Sequence, residues 1–193
     1  MGYGWGSREN CECRGGWVRD KLKATVIGRP TLLDWKFKVN ECPACGWREV
    51  LVTHREWQHS TDVTLDINAA PPAHVPEAIR VDWDEARAVL WSSPNGTAVL
   101  ARRCLEGTLR HLGWNEHGLA KNVTALLKAA PQLKENMRLP LNVILELGNI
   151  AAHPQYRLDD REVINVQRHE AEFVLGMLLD FFALLPGAQE SSD

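Results

Sequence analysis

The chain has 193 residues, of which 45% are hydrophobic and 24% charged, a composition typical of a soluble globular protein. No apolar run approaches the roughly 20 residues of a membrane span, and the first seven residues lack a signal peptide's apolar segment, so we expect a cytoplasmic protein without membrane contact. The net charge of −3 argues against binding dominated by phosphate contacts. The charge is uneven, because residues 1–60 hold ten basic and seven acidic residues (+3), whereas residues 61–193 hold twelve basic and eighteen acidic residues (−6).

Residues 1–60 predict a small β-rich module that contains two cysteine pairs. Cys11-Glu12-Cys13 opens the module and Cys42-Pro43-Ala44-Cys45-Gly46 closes it. Between them lie two strand-like runs, 23–27 and 35–39, the second alternating with period two. No stretch here carries a helical stripe long enough to bury a core, so the module needs a covalent or metal link.

The second cysteine pair has the sequence of a metal-binding turn, because its proline fixes the turn and its glycine adopts a positive φ. Four thiolates complete a tetrahedral zinc site, which predicts structural Zn2+ held by Cys11, Cys13, Cys42 and Cys45. Such a site has no open position for catalysis. The alternative is reduced cysteines without a metal, since disulfides do not persist in a reducing cytoplasm.

The module ends at a proline-rich linker, predicted over 61–76 with the domain boundary near residue 70. Residues 77–186 change to helical periodicity, and 187–193 are predicted to be a disordered tail. Five helices are predicted, at 82–91, 97–112, 119–130, 139–152 and from Asp159 or Asp160 to 185. Asp82 is the expected N-cap of the first helix, Pro140 lies in the first turn of the fourth, and Cys104 is a core residue of the second.

The fourth predicted helix ends in the most informative stretch, Leu147-Gly148-Asn149-Ile150-Ala151-Ala152-His153-Pro154. Asn149 and His153 are four residues apart and share one face of a helix. Ala151 and Ala152 would let another helix or subunit approach closely. Two structural alternatives remain open, because a histidine at a helix C-terminus complements the helix dipole and an asparagine beside glycine suits a close helix crossing.

A second group of polar residues lies on the second predicted helix. Arg102 and Glu106 are four residues apart, and Arg103 and Glu106 are three apart, a spacing that also fits an ordinary surface ion pair. Arg157 follows the proline that ends the fourth helix. These four side chains are candidates to support a site at Asn149.

Four segments together resemble the bacterial domain-of-unknown-function 4145 family. They are Val75-Pro76, Glu85-Ala86, Arg102 to Glu106 and Leu147 to Pro154, and the resemblance spans roughly residues 75–183. That family is similar to the HEPN superfamily of helical bundles, which includes metal-independent ribonucleases of toxin and phage-defence systems, often dimeric. The resemblance implies a mainly α fold, a five-helix HEPN-like bundle preceded by the small zinc-ribbon-like β module.

The superfamily's catalytic pattern is an arginine, a polar residue, a short spacer and a histidine. On this chain Asn149 occupies the polar position and His153 the histidine, whereas Gly148 occupies the arginine position. Glu146 lies three residues before Asn149, where related sequences can carry a basic residue. RNA cleavage needs a base near the 2′-hydroxyl and a cation near the phosphate, and the motif itself offers no cation.

The resemblance therefore implies a recognition or regulatory module with a degenerate ribonuclease motif, acting as a homodimer on RNA, another nucleic acid or a protein partner, for example in phage defence. The first alternative is an active metal-independent endoribonuclease that uses His153 and Asn149 with an arginine from elsewhere, Arg102, Arg103, Arg138 or Arg157. The second alternative is a purely structural protein whose His153 region is a dimer contact.

Overall fold

A computed structural model describes residues 69–153, 155–156 and 163–185, together with the backbone of four strands nearer the amino terminus. The chain divides into two compact units, Met1–Thr64 and Leu65–Asp193. In their described parts, the first unit contains strands and the second contains mainly helices.

The described part of the first unit is an antiparallel sheet in which each strand pairs with the next along the chain. Its strands are β1 (Lys23–Gly28), β2 (Trp35–Glu41), β3 (Arg48–His54) and β4 (Ser60–Val63). Val26 pairs with Lys38, and Leu51 pairs with Asp62. This order is that of consecutive hairpins, which need only short connections.

The four predicted zinc ligands, Cys11, Cys13, Cys42 and Cys45, lie outside the described residues. The metal site and the zinc-ribbon-like character of the first unit therefore stay predictions.

The second unit is a helical bundle, which confirms the mainly α fold for the described residues. Its helices are α1 (Glu77–Ala88), α2 (Pro94–His111), α3 (Leu119–Ala129), α4 (Pro131–Ala152) and α5 (Arg168–Ala183). A two-stranded hairpin, β5 (Gln155–Tyr156) with β6 (Val163–Ile164), lies between α4 and α5. Helix α2 packs against α1, α4 and α5 and so forms the centre of the bundle. No helix within the described ranges has the length and apolar character of a membrane span.

The core of the bundle is apolar and aromatic. Trp83 of α1 is fully buried and meets Phe182 of α5 edge to face, with ring centroids 6.2 Å apart and an interplanar angle of 75°. Cys104 is also fully buried, as predicted for a core position of the second helix. Further core side chains come from all five described helices, among them Leu105, Leu127, Ile144, Leu147 and Phe173.

Prolines begin helices here where the sequence suggested breaks. Pro76 is the N-cap of α1, so Asp82 lies inside the helix and is not its cap. Pro94 is the first residue of α2, three residues before the predicted start at Thr97, and Pro131 is the first residue of α4. Proline suits these positions because its φ is already helical and the first-turn N–H groups have no helical acceptor.

Helix α4 is eight residues longer at its amino end than predicted, because it begins at Pro131 and not near Leu139. Pro140 therefore lies well inside the helix, not in its first turn, and it is buried. A proline at that depth removes one helical hydrogen bond, an intrinsic cost of about 3 kcal/mol. The surrounding packing of α4 must offset that cost, since the helix continues on both sides of Pro140.

Helix α5 begins at Arg168, not at Asp159 or Asp160, because the β5–β6 hairpin occupies part of the predicted helix. A capping box at its amino end explains the start. The Gln167 N–H donates to Oε2 of Glu170 at 2.6 Å. In the reciprocal bond, the Glu170 N–H donates to the side chain of Gln167.

The segment before α1 is part of the bundle's packing. Pro71 is buried, and Val75 is only 1% exposed. Nε2 of His74 donates to the carbonyl oxygen of Phe182 in the last turn of α5, at 3.0 Å. β4 thus extends to Val63, inside the predicted linker 61–76, and His74 near the end of that range contacts α5.

Candidate functional site

The end of α4 presents both predicted motif side chains to solvent. Asn149 and His153 are exposed. The helix ends at Ala152, so His153 is the C-cap and has extended backbone angles (φ −127°, ψ 114°). Asn149 and His153 would share one helical face only if the helix continued through His153. The His153 N–H nevertheless donates to the Asn149 carbonyl at 2.9 Å, so one backbone turn still joins the two residues.

Gly148 lies where α2 and α4 cross, and it is buried. A Cβ atom at this position would be 2.7 Å from Cβ, 2.8 Å from Cδ and 3.1 Å from Cγ of Arg102. Contacts this short are not tolerated without movement of one helix or of the arginine stem. A side chain at the motif position that the superfamily gives to arginine would therefore have to displace the stem of Arg102, which already occupies the space.

Arg102 itself is half-buried and reaches across α4. Its Nη1 donates to the carbonyl oxygen of Leu145 at 3.3 Å. The predicted pairing with Glu106 is not formed, because Glu106 accepts a hydrogen bond from Nη2 of Arg110 at 2.7 Å. Within the described part of the chain, Arg102 has no carboxylate partner. Its charge is thus placed against a neutral carbonyl at the α2–α4 crossing.

Arg103 belongs to a different surface. Its Nε donates to Oδ2 of Asp82 at 2.8 Å, its Nη2 contacts the other oxygen of the same carboxylate, and Nη2 also lies 3.1 Å from Oε2 of Glu85. The hydrogen bond to Asp82 is the main reason that the pKa of Arg103 is raised. The predicted pairing with Glu106 is again replaced, here by two carboxylates of α1.

The remaining candidates are placed differently from one another. Arg157 lies outside the described residues. Arg138 is exposed on α4, and its carbonyl accepts a hydrogen bond from Nδ2 of Asn142 at 2.7 Å. Ala151 is half-buried and Ala152 is exposed. Within the described ranges, no three His, Cys, Asp or Glu side chains are grouped so that they could hold a metal ion.

Cys104 has no role in this site. Its Sγ lies 3.8 Å from the carbonyl oxygen of Ile79, and burial is the main cause that raises its pKa to about 12. The thiol is therefore protonated at neutral pH, which makes it a poor nucleophile and a poor metal ligand.

Sequence reasoning identified Asn149 and His153 but missed the contact between Arg102 and Gly148. The available signal was a glycine inside a helical pattern, which often indicates close approach of another backbone or side chain. The identity of the approaching residue has no local signature, because Arg102 and Gly148 are 46 positions apart in the chain. The site consequently contains an amide, an imidazole and, across the crossing, a guanidinium.

The fold and this exposed asparagine–histidine turn define an α-helical bundle domain with a polar motif at the end of its fourth helix. The chain belongs to the family described as Domain of unknown function (DUF4145), which matches residues 84–184. That match confirms the family resemblance drawn from the sequence motifs. No curated protein and no solved structure matches the chain.

Proposed function

We propose that the bundle is a HEPN-like recognition module that binds single-stranded RNA at the carboxyl end of α4 and does not cleave it. The observation that carries this proposal is the lack of space for a side chain at position 148. A Cβ added to Gly148 would lie 2.7 Å from Cβ of Arg102. The catalytic arginine of the superfamily pattern has no space there, whereas Asn149 and His153 remain exposed to a ligand.

The exposed groups suit RNA bases. A carboxamide both donates and accepts hydrogen bonds and can pair with the edge of a base, and an imidazole can stack on a base or bond to it. Unpaired bases offer these edges, whereas the major groove of an RNA duplex is too deep and narrow for side chains to read. The acidic balance of residues 61–193 is consistent with recognition of bases more than of phosphates.

The test is binding of a fluorescein-labelled single-stranded RNA of mixed sequence to the full chain, measured by anisotropy without added divalent metal. We expect Asn149→Ala and His153→Ala each to weaken binding by about tenfold, which corresponds to about 1.4 kcal/mol. Matched controls are Asn136→Ala on the same helix and His117→Ala in the α2–α3 connection, since both residues are exposed. Denaturing gels of the same mixtures should show intact RNA.

The outcomes separate the alternatives. Equal affinity of the Asn149→Ala and His153→Ala variants and the wild type would place the binding surface elsewhere and contradict the proposal. Cleavage that persists in EDTA and disappears in His153→Ala would establish the endoribonuclease alternative. In that reaction the 2′-oxygen attacks the phosphorus, the 5′-oxygen leaves with a proton, and the products are a cyclic phosphate and a 5′-hydroxyl. Arg102 is the observation that favours this second candidate, because its guanidinium lies at the α4 crossing.

A homodimer and a role in phage defence accompany this proposal as implications of the HEPN-like resemblance. Ala152 is exposed beside the motif and would allow a second copy to approach. Light scattering of Ala152→Arg against the wild type decides whether this surface joins two chains, since a long charged side chain there would prevent the contact.

Structural zinc in the first unit is proposed on the donor set alone: four cysteines in two pairs, of which Cys42 and Cys45 have the usual metal-binding spacing and Cys11 and Cys13 are one residue closer. Metal analysis of the purified protein should give about one ion per chain, the stoichiometry of a four-thiolate site. Protein free of metal with four titratable thiols would contradict it.

A further inference from the structure

The stem of Arg102 lies flat across α4 at Gly148. Three of its carbon atoms, Cβ, Cγ and Cδ, are within 3.1 Å of the place where a Cβ of residue 148 would be. The side chain therefore starts on α2, crosses the groove between the helices, and ends on the surface of α4. Glycine at position 148 is what permits this path, since any larger residue would push the arginine outward.

The direction of the crossing leads toward Asn149. Successive residues of a helix are about 100° apart around its axis, so Leu145 lies about 60° and Asn149 about 100° from Gly148 in the same sense. Nη1 of Arg102 donates to the Leu145 carbonyl at 3.3 Å. In a helix that carbonyl is also the acceptor for the N–H of Asn149. The guanidinium thus lies on the side of α4 that carries the exposed amide.

The charge of Arg102 is available to a ligand. A carbonyl oxygen is its acceptor, and 3.3 Å is slightly beyond the usual range of such bonds, about 2.7–3.2 Å. Its neighbour Arg103 is instead engaged by the carboxylates of Asp82 and Glu85. Of these two adjacent arginines, only Arg102 is without a carboxylate partner among the described residues.

We propose that Arg102 is the phosphate-binding cation of the site: it holds a backbone phosphate of the RNA from α2 and does not take the catalytic position that Gly148 occupies on α4. This rests on the proposed function, because the phosphate is that of the RNA bound at Asn149 and His153. The carboxyl end of a helix carries partial negative charge, so a phosphate bound there needs a cation. The guanidinium exchanges its bond to the Leu145 carbonyl for the stronger, charge-assisted bonds to phosphate oxygens.

The test is the salt dependence of RNA binding. Each phosphate contact on a single strand contributes about −0.7 to the slope of log affinity against log salt concentration. We expect Arg102→Gln to make the slope less negative by about 0.7 and to weaken binding severalfold at low salt. Arg102→Lys keeps the charge and should keep the slope. Arg103→Gln is the matched control, and its slope should equal that of the wild type because that guanidinium is already engaged by carboxylates.

Several outcomes would overturn the proposal, and they are distinguishable. If the wild type binds RNA and Arg102→Gln has the same slope of log affinity against log salt concentration, Arg102 does not bind phosphate. The recognition function would still stand. A slope reduced equally in Arg103→Gln shows a general charge effect and also removes it. Absence of any RNA binding by the wild type overturns the recognition function and this inference together. Thermal unfolding of Arg102→Gln and Arg102→Lys verifies that both variants are folded when compared.

Discussion

Helix α2 is packed differently on its two sides. Toward α4, the stem of Arg102 lies directly on the backbone at Gly148, with no space for a Cβ. Toward α1 the contact is made by side chains, and a Cβ on Gly107 would be at an ordinary 3.4 Å from Cγ1 of Ile79. The buried hydroxyl of Thr97 also donates to the Ala86 carbonyl on that side, at 2.9 Å.

The two arginines follow the same division. Arg103, on the α1 side, is held by two carboxylates, whereas Arg102, on the α4 side, contacts a carbonyl. Adjacent residues of one type therefore differ in what they can do for a ligand, because each helix surface supplies a different partner. The α1 side pairs its arginine with carboxylates, whereas the α4 side leaves a guanidinium on a neutral carbonyl.

The largest contrast is expected from glycine replacements on the two sides. Gly148→Ala should lower the free energy of unfolding by about 1–3 kcal/mol, because the new methyl group overlaps the stem of Arg102. Gly107→Ala should raise it by about 0.5–1 kcal/mol, since alanine is the better helix former and the space toward Ile79 is sufficient. Urea denaturation measures both. A neutral Gly148→Ala would show that α2 and α4 do not approach as closely as described.

The next effect concerns the buried thiol on the α1 side. Burial raises the pKa of Cys104 from an ordinary 9.0 to about 12, so above about pH 9 the thiol ionises in the unfolded chain but not in the folded one. The folded state then holds more protons, and stability falls as pH rises, by at most about 1.4 kcal/mol per pH unit from this group. Below pH 9 the contribution is constant.

Cys104→Ala isolates this contribution. Its free energy of unfolding should decline less steeply between about pH 9 and 11 than that of the wild type, because every other titrating group is shared by the two proteins. Parallel pH profiles would mean that the Cys104 thiol ionises as easily in the folded protein as in the unfolded one.

The smallest effects are expected from the arginines themselves. Arg103→Gln should cost less than about 1 kcal/mol of stability, and that cost should disappear at high salt, because exposed ion pairs are weak and screened. Arg102→Gln keeps most of the stem over Gly148 and loses a hydrogen bond to a neutral group. Its cost should be independent of salt. A salt-sensitive Arg102→Gln would indicate a carboxylate partner on the α4 side and would remove the contrast.

Much of the bundle could be predicted from periodicity. The third helix begins at Leu119 as predicted, and the apolar spacing identified Cys104 as a core residue of the second. Helix starts were predicted less well, because a proline can either begin a helix or lie inside one, and both cases occur in α4. At Pro131 it begins a helix, whereas Pro140 is carried inside one by tertiary packing that local sequence does not reveal.

The site was predictable only in part, for a geometric reason. Asn149 and His153 lie on one short segment, so their spacing alone placed them near each other. The partners of Arg102 and Arg103 depend on which helix faces each residue, and a rotation of about 100° between neighbours sends the two side chains to different helices. Local spacing favoured Glu106 for both, and the bundle gives Glu106 to Arg110 instead.

The hydrogen bond between His74 and Phe182 joins the segment before α1 to the last helix of the bundle. Tension applied along the chain from the amino side reaches buried Pro71 first and then His74, whose ring holds the last turn of α5. Part of the load therefore passes into the final helix as well as into α1. Separating the amino end of the bundle from the rest therefore also requires this contact with α5 to break.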